Sequence, residues 1–162
     1  MGDLTLRALR IVLATGLAGS LFVQAVMVPL LAIDLEEAPA AVRVPLVVIV
    51  LLGIVTTQVT MVCVWRLLTM VRRGTVFSHA AFRYVDIVIA AVAAASLLTF
   101  ALGVTLAPGE AVAPGIVLLI GGAGVMIAGV ALLVLVMRTL LAQAVARDTE
   151  AQHLQAELNE VI

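Results

Sequence analysis

Long apolar runs separated by short polar breaks divide this chain. The clearest run is VPLVVIVLLGIVTTQVTMVCVWRLLTM, from Val44 to Met70, which holds a single charge, Arg66, near its end. About 20 apolar residues cross the ~30 Å hydrocarbon core of a bilayer, so this run is long enough to span one with some tilt. Three further runs, at 9–32, 82–106 and 115–137, have the same character. Apolarity sustained over such lengths predicts transmembrane helices, with neither the alternation of a strand nor the polar stripe of a soluble helix.

The breaks carry the turn chemistry. DLEEAPAAVR, with three acids and Pro39, follows the first run, and Pro45 is expected in the first turn of the second helix, where its missing N–H is harmless. Pro29 is expected to kink or end the first helix. In VRRGTVFSHAAFRYVD, Gly74 suits a helix C-cap and Ser78 an N-cap, with Phe77 and Phe82 as anchors at headgroup depth. APGEAVAP, from Ala107 to Pro114, is a turn between the third and fourth helices.

Composition names the solvent. Hydrophobic residues make up 64% of the 162 and charged residues 12%, against ~45–50% and ~25% in an ordinary soluble domain. A soluble domain of this size could not hide so much apolar surface, so most of the chain faces lipid. The net charge of -1 offers no basic field for nucleic acid. The one cysteine, Cys63, sits within an apolar run and reads as a small hydrophobe. The first apolar run is longer than the ~7–15 residues of a signal-peptide core, so a retained helix is expected there.

Every basic residue is an arginine, and their placement alternates. Arg7 and Arg10 precede the first helix. Arg43 stands beside Asp34, Glu36 and Glu37 in the first loop. Arg66, Arg72, Arg73 and Arg83 cluster around the second loop, the third loop has none, and Arg138 and Arg147 follow the fourth helix. Cytoplasmic segments are enriched in Lys and Arg, so four spans with both termini cytoplasmic are expected.

Polar residues inside the spans are the candidates for function or for helix contacts. Gln24 and Gln58 each need a partner in hydrocarbon and should face the bundle. Thr56, Thr57 and Thr60 can bond back to their own helix. Trp65 and Arg66 suit the inner interface. Asp86, one turn from Arg83 and near Arg66 and Arg72 in depth, is either a proton-relay acid or a carboxylate that pairs with an interfacial arginine and fixes helix register. Gly16, Gly19 and Ser20, the AAVAAAS stretch of the third helix, and Gly121, Gly122, Gly124 and Gly129 mark surfaces for close helix approach. No P-loop, HExxH or G-x-S-x-G motif is present. His79 and His153 lie in different cytoplasmic segments and do not suggest a haem pair, and neither a metal nor a cofactor is expected.

The tail, RTLLAQAVARDTEAQHLQAELNEVI, has neither Gly nor Pro. Leu140, Ala144, Ala151, Leu154, Leu158 and Val161 recur at three- and four-residue spacing, interrupted by Arg147. This predicts an amphipathic helix over 139–162, continuous with the fourth span. After Thr139 its acids outnumber its bases, the reverse of a helix built to lie on an anionic leaflet. It should fold back under the bundle, pair with a second copy, or dock a basic protein through Leu154, Glu157, Leu158 and Val161.

The segment RRGTVFSHAAFRYVDIVIAA and the ending LQAELNEVI resemble a bacterial family of small four-helix membrane proteins, domain of unknown function 2975 (DUF2975). The resemblance rests on Gly74, Phe77, Ser78, Tyr84, Val85 and Asp86, and on Glu157, Val161 and Ile162. It implies a bacterial inner-membrane protein and a cytoplasmic partner such as a small helix-turn-helix regulator, and brings no catalytic residues with it. The expected architecture is all-α: a four-helix transmembrane bundle over 1–138 and a cytoplasmic C-terminal helix over 139–162. The expected function is a non-enzymatic anchor or sensor. A small transporter or channel component, using Asp86, Gln24 and Gln58, and a structural subunit of a membrane complex are the alternatives.

Overall fold

The computed structural model describes residues 3–72, 79–108 and 112–161, and all of its secondary structure there is helical. The expectations at Arg73, Gly74, Phe77 and Ser78, for the turn at 109–111 and for Ile162, and for the side chains of Arg72 and Val161, lie outside the described residues.

The first rod consists of α1 (Asp3–Phe22), a π-helical turn (Val23–Met27) and α2 (Val28–Asp34). Pro29 does not end it. A proline cannot donate to the carbonyl four residues back, and its ring crowds that carbonyl. Here the helix widens just ahead of it, the N–H of Val28 bonding to the carbonyl of Val23, a π-type bulge that absorbs the misfit. The rod therefore runs to Asp34, past the expected end at Ala32.

Helix α3 spans Ala40–Arg72, beginning four residues before the expected Val44. The Pro39 carbonyl accepts the N–H groups of Val42 at 2.9 Å and Arg43 at 3.1 Å, which starts the helix directly after that proline. Pro45 consequently lies inside the helix, beyond its first turn. Helix α4 runs His79–Leu106, also starting earlier than expected, and α5 runs Pro114–Val161. α5 has 48 residues, about 72 Å at 1.5 Å per residue, and passes unbroken through 138–139, where the sequence turns from apolar to charged.

Four helices, Leu4–Asp34, Ala40–Met70, Ala81–Leu106 and Pro114–Asn159, are long and apolar enough to cross a membrane. Their outward surfaces are apolar to match: Leu97, Val104, Leu118 and Met126 are strongly exposed. Small residues line the interior, with Cys63, Ala81, Ala91, Ser96, Gly124 and Ala131 all buried. That is the packing expected where lipid is as apolar as leucine and helices gain chiefly by close approach.

Among the described residues, substantial packing joins only consecutive rods: α1 and α2 on α3, α3 on α4, α4 on α5. The helices thus form a row, with α1 and α5 at its two edges. Arg10 reaches Thr69 and Gln24 reaches Gln58, so the first rod and α3 are antiparallel. Ser96 meets Gly124 and Asp86 meets Arg138, so α4 and α5 are antiparallel too. Between α3 and α4, residues 73–78 reach no more than about 25 Å, whereas α4 alone is about 42 Å long; these helices, too, are antiparallel. The start of α1 and the tail of α5 therefore leave at the same end of the row.

Candidate functional site

Two side-chain pairs singled out by their polarity join different helix pairs. In the first, Gln58 Nε2 donates to Gln24 Oε1 at 2.9 Å. Gln24 sits within the π-helical turn, so the widening provoked by Pro29 coincides with the residue that carries the polar contact. The threonines nearby are satisfied locally. Thr56 and Thr57 donate to the Gly53 carbonyl at 2.8 and 3.0 Å, and Thr60 donates to that of Thr56 at 2.9 Å.

In the second, Arg138 Nη2 donates to Asp86 Oδ2 at 2.8 Å, and Arg138 Nε lies 2.8 Å from Oδ1. The guanidinium also stands 5.9 Å from the centre of the Phe82 ring, a cation–π arrangement. The partner of Asp86 is thus Arg138 on α5, not the nearby Arg83 on its own helix or Arg66 on α3. A signal for this was present in the sequence: Asp86 and Arg138 lie at similar distances from the α4–α5 turn, and an antiparallel hairpin brings such positions together.

A third cluster, which the sequence reading did not single out, joins α1 to α3. Arg10 Nη2 donates to Thr69 Oγ1 at 3.3 Å. The Arg10 guanidinium lies 5.6 Å from the centre of the Trp65 ring, while Arg66 is exposed beside it. Arg10 was read only for its charge because a residue so near the start of the chain gave no hint that its helix would pass Trp65.

Between α4 and α5, Ser96 donates to the Gly124 carbonyl at 2.8 Å, and the Phe100 ring lies against the face of Gly124. Gly121, Gly122 and Gly129 face open space. At the far end of α5, every residue from Ala146 to Asn159 is exposed, including Leu154, Glu157 and Leu158. The tail extends straight from α5 and does not fold back under the helices. Its polar contacts are within itself: Gln152 with Asp148 at 3.3 Å, and His153 Nε2 with Glu157 Oε1 at 3.7 Å.

These contacts separate the residues a transport path would need. Gln24 and Gln58 bond to each other between the first rod and α3, whereas Asp86 is held by Arg138 between α4 and α5. Among the described residues no group of three or more His, Cys, Asp or Glu is arranged to hold a metal ion.

With four membrane-length helices established, comparison with protein families is decisive. The family described as "Protein of unknown function (DUF2975)" matches residues 30–162. The chain belongs to DUF2975. No curated protein and no solved structure matches it. The DUF2975 match takes in α3, α4 and α5 whole, with Gln58, Trp65, Arg66, Asp86, Arg138 and the tail. Arg10 and Gln24 lie before it. Both polar contacts between the first rod and α3 therefore pair one residue inside the DUF2975 match with one outside it.

Proposed function

We propose that this DUF2975 protein is a non-enzymatic membrane anchor or sensor that holds a cytoplasmic protein through its projecting C-terminal helix. The observation that supports the reading is the unbroken continuation of α5 beyond its apolar span, ending in a helical segment exposed on every side. Isolated helices of this length are marginal in water, and Leu154 and Leu158 present an apolar edge at i, i+4 spacing. A protein partner would bury that edge and stabilise the helix. Asp148, Glu150 and Glu157 against Arg147 give the segment an acidic surface suited to a basic partner, such as a small DNA-binding regulator. In this reading Leu154 and Leu158 supply the buried contact, with Glu157 beside them.

In this reading the tail lies in the cytoplasm at a bacterial inner membrane, and the distribution of arginines supports that orientation. Arg7, Arg10, Arg66, Arg83 and Arg138 belong to the end where the tail emerges, while Arg43 stands with Asp34, Glu36 and Glu37 at the other. Cysteine labelling in intact cells, in a background where Cys63 is replaced by Ala, tests the orientation. A Glu36→Cys variant should react with an impermeant reagent from outside and a Gln152→Cys variant should not; reaction at Gln152→Cys overturns it. Truncation after Arg147 tests docking. Membrane insertion should persist and the co-purifying partner should be lost. Retention of every co-purifying protein by the truncated chain refutes the anchor reading.

A further inference from the structure

Among the described helices, the rod formed by α1 and α2 packs substantially only on α3, and it leaves a groove of about 400 Å³ between α1 and α3. The groove is apolar along most of its length, with Leu13, Leu17 and Leu21 from α1 facing Met61 and Val62 from α3. From Leu13 to Leu21 it follows α1 for about 12 Å. Ala14 and Ala18 keep it open, since neither side chain reaches far from its helix. Exposed apolar residues flank it, Ile11, Val12 and Phe22 among them, so it opens toward the acyl chains of the bilayer.

One end of this groove is charged. Arg66 and Trp65 line it there, and Arg10 lies over the Trp65 ring. Among the described residues, neither Arg10 nor Arg66 has a carboxylate within ion-pairing distance. Arg10 Nε is buried from solvent and has no hydrogen-bond partner among the described residues. A guanidinium nitrogen taken out of water without an acceptor is costly. Among the described residues the hydrogen-bond acceptor given to this side chain is the Thr69 hydroxyl, through a different nitrogen. An apolar channel ending in two uncompensated arginines and an interfacial tryptophan matches a lipid in both its parts.

We propose that the groove between α1 and α3 binds one anionic glycerophospholipid, with an acyl chain along Leu13–Leu21 and its phosphate at the Arg10–Arg66 end. Guanidinium groups present planar sets of donors suited to phosphate oxygens, and basic pockets between transmembrane helices are sites for acidic headgroups. A zwitterionic lipid carries its own cation into the same place and gains less from two arginines. The lipid would complete the contact between α1 and α3 that the protein makes only in part.

The chain reports on this site through its own spectroscopy, because Trp65 is its one tryptophan. The full-length protein is reconstituted in phosphatidylcholine vesicles containing equal mole fractions of brominated-acyl phosphatidylglycerol or brominated-acyl phosphatidylcholine. Quenching of Trp65 should report an affinity for the phosphatidylglycerol higher by about fivefold or more. In an Arg10→Gln, Arg66→Gln double variant this preference should fall to near one. Ala18→Leu fills the groove and leaves both charges in place, and it should also reduce quenching by brominated phosphatidylglycerol. Equal quenching by the two lipids in the natural chain overturns the proposal, as does a preference that survives the double variant or is untouched by Ala18→Leu. Loss of the preference on adding millimolar inorganic phosphate, at constant ionic strength, would assign the arginines to a soluble anion and equally overturn it. Should the double variant fail to fold, the comparison of lipids in the natural chain and Ala18→Leu decides the matter.

Discussion

Four glycines of α5 look alike in the sequence, and the structure assigns them different consequences. A Cβ added at Gly124 would meet three atoms of the Phe100 ring at 3.1, 3.2 and 3.3 Å. At Gly121, Gly122 or Gly129 it would meet nothing within 4 Å. Overpacking a close contact costs about 1–3 kcal/mol. Phe100 is 39% exposed, so its ring can tilt toward lipid, which puts the Gly124→Ala cost near ~1 kcal/mol, at the lower end of that range. The same substitution at Gly122 or Gly129 reduces the freedom of the unfolded chain without a clash, and should stabilise by about 0.5 kcal/mol. That unfolded-chain effect is common to both positions, so the difference between Gly124→Ala and Gly122→Ala should be the clash alone, about 1 kcal/mol, or roughly fivefold in the folding equilibrium. Reversible unfolding in mixed micelles of mild and denaturing detergent, followed by far-ultraviolet circular dichroism, measures it. The clash is specific to one ring, so Phe100→Leu in the Gly124→Ala background should recover most of the loss. If Gly124→Ala and Gly122→Ala are equally stable, or if Phe100→Leu brings no recovery, the packing of α4 on α5 through this contact is wrong.

Two further outcomes follow from the polar contacts. Gln24→Leu or Gln58→Leu alone should destabilise by about 0.6 kcal/mol, with an upper bound near 1.7; the double variant should cost less than the sum, because no amide is then left without a partner. A double-mutant cycle in the same unfolding assay checks this, and strict additivity would refute the pairing. Asp86→Asn and Arg138→Gln should likewise be non-additive. Their side chains are 49% and 33% exposed, so the coupling should be about 1 kcal/mol, the upper limit for solvent-accessible pairs and justified here by the two-point contact. It should shrink as salt is raised.

The spans were legible in the sequence because apolarity over 20 or more residues is a one-dimensional signal. The return of the threonine hydroxyls to their own helix was equally legible, since that bond is local. Helix starts were read less well. At Pro39 and Pro45 the rule that proline favours the first turn held two candidates, and the carbonyl of Pro39 decided between them. Pro29 does not stop the first rod, because one widened turn accommodates it, which the sequence does not show. Gln24 and Gln58 were each recognised as needing a partner, yet nothing local says that they satisfy each other. The partner of Asp86 was sought among arginines near it in sequence and was found on the following helix. Pairings of this kind depend on the rotation of each helix about its axis, which apolar runs leave nearly undetermined. Of the small-residue surfaces, Gly16 is used against Met61 and Gly124 against Phe100, while Gly19 and Gly122 meet nothing; again, rotation decides.

The absence of a joint in α5 has a mechanical meaning. From Arg138 to Val161 the helix projects about 35 Å at 1.5 Å per residue, and neither glycine nor proline interrupts that length. A rod of this kind does not let its two halves reorient separately. A membrane helix adjusts its tilt when the thickness of the bilayer changes. A change of about 10° in such a rod would carry its tip sideways by about 6 Å, a lever arm set by the helical rise. Leu154 and Leu158 ride near the end of that arm, so bilayer thickness and the position of the tail are geometrically one variable.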